Sequence, residues 1–158
     1  MSGAGAPSFH LEAMGGVRVA IIASSWHDLV MDGLVANALG TCADAGVDAT
    51  VVRVPGSFEL GVAAMRAARS GRFDAIVALG VIIRGGTPHF EYVAGATTDA
   101  LNRVALDTGI PVGFGLLTCD DDAQAIDRAG LPHSKENKGR EAAEAALVMV
   151  QTLRSLGW

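Results

Sequence analysis

The chain has no cluster of Lys and Arg, no apolar run long enough for a membrane, and only two cysteines. Net charge is −5 at pH 7, which argues against nucleic acid as a partner. An anionic ligand would have to be held locally, by a few placed groups. No apolar run approaches the roughly 20 residues needed to cross a bilayer. Cys42 and Cys119 have neither CxxC nor metal spacing. They read as small buried residues of a protein in a reducing cytoplasm. The four histidines are dispersed, with no HExxH-like spacing, so no metal is expected. Neither GxGxxG nor GxxxxGK[ST] follows the first apolar segment, which disfavours dinucleotide and P-loop chemistry. Residues 1–16 are rich in Gly and Ala and lack the basic and apolar regions of a secretory signal. They are expected to form a mobile arm, with residues 17–158 as a single domain. Internal repeats are absent.

What is present is apolar and periodic. Half of the residues are hydrophobic, and mean hydropathy is +0.35. That points to a tightly packed core and to surface buried against other subunits. Strands are predicted over 17–23, 49–54, 74–83 and 112–117, with helices over 27–45, 57–70, 89–107, 121–129 and 138–156. On the first helix Val30, Leu34, Ala38 and Cys42 form one apolar stripe. On the third, Phe90, Val93, Thr97, Leu101 and Val104 recur at helical spacing. Gly109 and Pro111 then close it. Strands alternating with helices predict a four-stranded parallel sheet in a three-layer α/β/α sandwich. Ligands in such folds bind outside the carboxyl ends of the strands.

The richest segment is Val81-Ile82-Ile83-Arg84-Gly85-Gly86-Thr87-Pro88-His89-Phe90. A buried strand ends in two glycines, which allow a sharp bend and close approach of a ligand. Thr87 reads as an N-cap and Pro88 as the first helical residue. Free amides at such a helix start attract phosphate. His89, one turn in, is the best candidate for moving protons near neutrality. An ordinary strand-to-helix turn would have the same composition. After the first strand, Trp26 either stacks on a flat heteroaromatic ring or covers the sheet edge as core. After the second, Ser57 and Glu59 either hold ligand hydroxyls or simply start a helix. Phe114 suits a pocket or the core. Arg128 and Lys138, taken singly, suit a solvated surface.

Five segments in order resemble lumazine synthase (6,7-dimethyl-8-ribityllumazine synthase). They are Pro55-Gly56-Ser57-Phe58-Glu59-Leu60, Gly80 to Phe90 with its Arg-Gly-x-Thr-Pro-His-Phe element, Pro111 to Thr118, Arg128-Ala129-Gly130 and Asn137-Lys138-Gly139. The likeness covers about residues 17–156. It implies a flavodoxin-like fold and a transferase of riboflavin biosynthesis. That enzyme condenses 5-amino-6-ribitylaminouracil with 3,4-dihydroxy-2-butanone 4-phosphate, releasing phosphate and water, without metal or redox cofactor. By position, Trp26 would stack on the pyrimidine. Ser57, Phe58 and Glu59 would hold the ribityl chain, and Val81, Ile82 and Ile83 would line the ring pocket. Gly85, Gly86 and Thr87 would bind the phosphate, with Arg128 from a neighbouring subunit as counter-charge. His89 would transfer protons. Phe114 and Lys138 would close the site from the adjacent chain of a pentamer.

Three positions depart from the pattern. Gly86 and Gly61 replace larger residues or proline, and His27 stands where many members have asparagine. The segment Leu131 to Glu136 is longer than in shell-forming members, which favours a pentamer or stacked decamer over a sixty-subunit shell. A non-catalytic flavin carrier would dispense with the phosphate loop and His89. An archaeal-type riboflavin synthase would have less use for the anion site. A flavodoxin-like redox protein would carry its phosphate loop after the first strand.

Overall fold

A computed structural model describes residue 5 and residues 7–157. Four parallel strands form one sheet: β1 (Arg18–Ser24), β2 (Asp48–Val54), β3 (Ala75–Ile83) and β4 (Val112–Cys119). Their order is β2-β1-β3-β4. Five helices connect and cover them: α1 (Asp28–Asp44), α2 (Leu60–Arg69), α3 (His89–Thr108), α4 (Asp122–Ile126) and α5 (Lys138–Ser155). The expected α/β/α sandwich and its parallel sheet are what the chain adopts.

Alternation along the central strands sorts the core into two layers. Val19, Ile21, Val77 and Leu79 face Leu34, Ala38 and Cys42 of α1 and Ala143, Leu147 and Val150 of α5. Ala20, Ile22, Ile76 and Ala78 face Leu60 and Ala64 of α2 and Leu101 and Val104 of α3. Because both faces are covered, β1 and β3 read as continuous apolar runs. Each fully buried Leu or Ile contributes about 1.5–3 kcal/mol relative to exposure. The predicted stripe on α1 is buried throughout. On α3 the burial is confined to Thr97, Leu101 and Val104. Phe90 and Val93 stay partly open, because the first turns of α3 run past the end of the sheet.

Both cysteines are free and buried, and burial pushes the Cys42 thiol up to about 11, as suits packing groups. The expectation of a mobile arm falls in part on residues 1–4 and 6, outside the described residues. At the other end of that segment Met14 is buried. Its N–H donates to the Ala45 carbonyl at 2.8 Å.

The strand order matters for function. From β1 the chain moves outward to β2, then returns past β1 to β3. The loops after β1 and β3 therefore part to opposite faces and leave a crevice at the carboxyl ends. Trp26, the Pro55–Glu59 turn and Ile83 all lie at that end.

Candidate active site

The crevice is a cavity of about 410 Å³. Trp26 and His27 border it from the loop after β1, and Gly56, Ser57, Phe58 and Glu59 from the turn after β2. Val81, Ile82 and Ile83 supply its wall from β3, and His89 and Val93 close it from α3. Trp26 is 66% exposed and Phe58 62%. Two large aromatics left this open are not core residues, so for Trp26 the sheet-edge alternative is set aside.

Hydrogen bonds tie the cavity walls together. The Ser57 hydroxyl donates to the Val81 carbonyl at 3.4 Å, and the Thr97 hydroxyl donates to the Ser57 carbonyl at 3.2 Å. The sequence pattern starts the second helix at Ser57. That residue sits instead inside a 3₁₀ turn, Ser57–Glu59, whose cap is Gly56. The Gly56 N–H donates to Glu59 Oε2 at 2.9 Å. The carboxylate closes the turn, so the hydroxyl is free to lock β2's loop onto β3. A Cβ on Gly80 would lie 2.7 Å from Ser57 Oγ. Glycine in mid-strand is what lets the turn approach.

Thr87 is likewise not the cap of α3. The helix starts at His89, with Pro88 in the cap position and no side-chain cap bond. The turn is closed by the Glu91 N–H donating to the Pro88 carbonyl at 3.2 Å. The helix start thus keeps its uncapped amides beside an exposed loop, the arrangement that receives anions. Gly85 and Gly86 do not make a left-handed turn, and a Cβ on either would touch nothing. The predicted bend falls at Gly86 and Thr87 and is made without a positive φ. Gly86 stands in open space, so the loop tolerates a larger residue as readily as glycine.

His27 caps α1 with φ 61° and ψ 63°, the one left-handed non-glycine among the described residues. Its Nδ1 lies 3.9 Å from Asp122 Oδ1. Asparagine adopts this backbone more readily. His27→Asn is expected to raise stability by several tenths of a kcal/mol and at most about 1, read from urea unfolding midpoints. A loss of stability would mean that the Asp122 contact outweighs the backbone strain.

The remaining site candidates lie elsewhere on the chain. Phe114 is half exposed on β4, beside a hollow of about 300 Å³ lined by Thr98, Leu101 and Asn102. Arg128 and Lys138 meet through Glu136. Lys138 Nζ is 2.5 Å from Glu136 Oε2 and 2.7 Å from Glu141 Oε2, and Arg128 Nη2 is 3.8 Å from Glu136 Oε1. Burial pushes the Lys138 ammonium down, but its bonds to the two carboxylates outweigh this and hold it above the usual range. The hydrogen bond from Lys138 holds Glu136 below its usual range in spite of burial. Glu136, Arg84 and Val93 were missed as site neighbours. Val93 was findable one turn after His89. Glu136 pairs with Lys138 two residues on and Arg84 with Glu91 seven on, whereas the Arg84–Asp120 pair joins segments far apart in the chain.

A family model described as 6,7-dimethyl-8-ribityllumazine synthase matches residues 16–154. Curated relatives extend over almost the whole chain. The 6,7-dimethyl-8-ribityllumazine synthase of Leifsonia xyli subsp. xyli is 59% identical over 99% of both chains. That of Streptomyces coelicolor is 57% identical, over 99% of this chain and 97% of its own. That of Renibacterium salmoninarum is 59% identical, over 98% of this chain and all of its own.

Proposed function

Because the chain belongs to the 6,7-dimethyl-8-ribityllumazine synthase family, we propose that the 410 Å³ cavity is where its two substrates meet. The enzyme condenses 5-amino-6-ribitylaminouracil with 3,4-dihydroxy-2-butanone 4-phosphate, a transferase reaction of riboflavin biosynthesis. The observation that carries the site assignment is the convergence of Trp26, Ser57, Glu59, Val81 and His89 on one cavity from four separate segments. The exposed Trp26 indole stacks on the pyrimidine, against the aliphatic wall of Val81, Ile82 and Ile83. Among the described residues Glu59 engages only Oε2, so Oε1 accepts from ribityl hydroxyls, beside Ser57 and Phe58. Gly85, Gly86 and Thr87 bind the butanone phosphate at the open start of α3.

The pyrimidine brings its own amine, so no enzyme lysine is needed to form the imine. Catalysis rests on holding two reactants in register and on one proton shuttle, His89. Arg128, Phe114 and Lys138 lie outside this chain's own cavity, which supports their serving the site of an adjacent subunit. Exposed apolar residues such as Leu29, Val62 and Tyr92 support the same assembly, a pentamer or a stacked pair of pentamers in the cytoplasm. Among the described residues no helix is long and apolar enough to cross a membrane.

The test is a cofactor-free assay with both substrates, following lumazine absorbance and released phosphate. Product should form with the wild-type protein. Arg128→Ala should raise the KM for the butanone phosphate by about ten- to a hundredfold, the loss of one charged bond to phosphate. Unchanged kinetics in Arg128→Ala would remove that residue from the site. No product with any preparation, yet riboflavin bound near Trp26, would replace the enzyme by a flavin carrier.

A further inference from the structure

Arg84 is the first residue beyond β3, and its side chain turns back over the start of α3. Its backbone N–H donates to the Cys119 carbonyl at 2.9 Å, extending the ladder between β3 and β4 by one rung. Its guanidinium then makes three contacts. Nε donates to Asp120 Oδ1 at 2.9 Å, and Nη1 donates to Glu91 Oε1. Cζ stands 4.2 Å from the centroid of the Phe90 ring, a cation–π distance. Asp120 is itself oriented, its N–H donating to Gln124 Oε1 at 3.0 Å.

These contacts close a ring. The backbone leaves Arg84, passes through Gly85, Gly86, Thr87 and Pro88, and enters α3. The Arg84 side chain returns from Phe90 and Glu91 to the starting point. The enclosed loop is exposed, and neither glycine has anything packed on its Cβ side. Nothing in its own interior therefore sets its shape. Its two ends do, and Arg84 fixes the distance between them. His89 sits at the same junction.

We propose that Arg84 is a positioning residue that holds the Gly85–Thr87 loop in register for the phosphate of the butanone substrate, a role that rests on the substrate reading given above. It acts through the loop rather than as an anion ligand, because two carboxylates already neutralise its charge. The Arg84 bonds hold Glu91 and Asp120 below the usual carboxylate range, so both are ionised at neutral pH. Lysine cannot replace it fully. One ammonium on a flexible stem does not bridge two carboxylates while lying flat on a ring.

The experiment is steady-state kinetics with each substrate varied in turn, together with inhibition by inorganic phosphate. Arg84→Ala is expected to raise the KM for the butanone phosphate and the phosphate inhibition constant by about tenfold or more. The KM for the pyrimidine should stay within about twofold, since Trp26 and the 55–59 turn are untouched. Arg84→Lys should fall between the alanine variant and wild type. If Arg84→Ala fails to fold, Glu91→Gln removes one arm of the clamp and should shift the same two constants several-fold. An unchanged phosphate inhibition constant, or equal rises in both KM values, overturns the tether. A wild-type protein that makes no lumazine overturns instead the reading on which it rests.

Discussion

His89→Ala lowers turnover by a factor on the order of 10² to 10⁴ while leaving pyrimidine binding nearly intact. That is the range lost when a positioned general acid–base is removed. The split follows from the geometry. His89 borders the cavity from the first residue of α3, whereas the ring wall is built from Val81, Ile82 and Ile83 and from Trp26. Those elements are held by the Ser57–Val81 and Thr97–Ser57 bonds, in which His89 takes no part. Stability should therefore change little, because His89 is exposed. The measurement is single-turnover kinetics with both substrates saturating, beside quenching of Trp26 fluorescence by the pyrimidine. Full turnover in His89→Ala would move the proton transfer to solvent or substrate. Loss of pyrimidine binding along with turnover would instead make His89 a packing element of the pocket.

Gly139→Ala destabilises the protein by about 3 kcal/mol, at the upper end of overpacking costs. A Cβ at residue 139 would lie 2.2 Å from the Leu34 carbonyl oxygen and 2.9 Å from two further backbone atoms of that residue. Helix propensity alone favours alanine by up to about 1 kcal/mol, and the clash outweighs it. Backbone cannot rotate out of the way as a side chain can. On α1, Gly33 meets the same restriction, with a Cβ there 2.6 Å from the Ala129 carbonyl. The two glycines allow α1, the 129–131 segment and the start of α5 to lie backbone against backbone. Activity should suffer as well, because Lys138 and Arg128 are anchored at this contact. The Lys138 N–H donates to the Arg128 carbonyl at 3.0 Å. Thermal unfolding and the KM for the butanone phosphate would be compared. A stability within about 0.5 kcal/mol of wild type would show that α5 can shift outward freely.

The parallel sheet and its layers were legible because they depend on short-range pattern. A strand buried on both faces must be apolar at every position, as Ile76 to Val81 are. A helix against a sheet must repeat its apolar residues every three to four positions, as Val30, Leu34, Ala38 and Cys42 do. The start of α3 was read one residue early. Composition could not tell Thr87 from Pro88 as the cap, because the choice depended on which carbonyl the Glu91 N–H would reach. Ser57 lines the cavity, but its hydroxyl has a different partner from the one its local sequence suggests. Its hydroxyl had a choice between its own turn and the Val81 carbonyl, and that carbonyl is brought near only by the fold.

The amino-acid order by itself determined the layered α/β architecture, the family, and the pocket residues carried on contiguous motifs. Each of these is written within a few turns of chain. Tertiary structure alone decided how those motifs stand to one another. Strand order set Trp26 opposite His89, and the Arg84 clamp joined residues 84, 90, 91 and 120. It also separated Phe114, Arg128 and Lys138 from the cavity that Trp26, residues 56–59, Val81 to Ile83 and His89 enclose. The physical reason is distance along the chain. Ion pairs and backbone-to-backbone contacts between remote segments carry no periodicity, so only the folded arrangement reveals them.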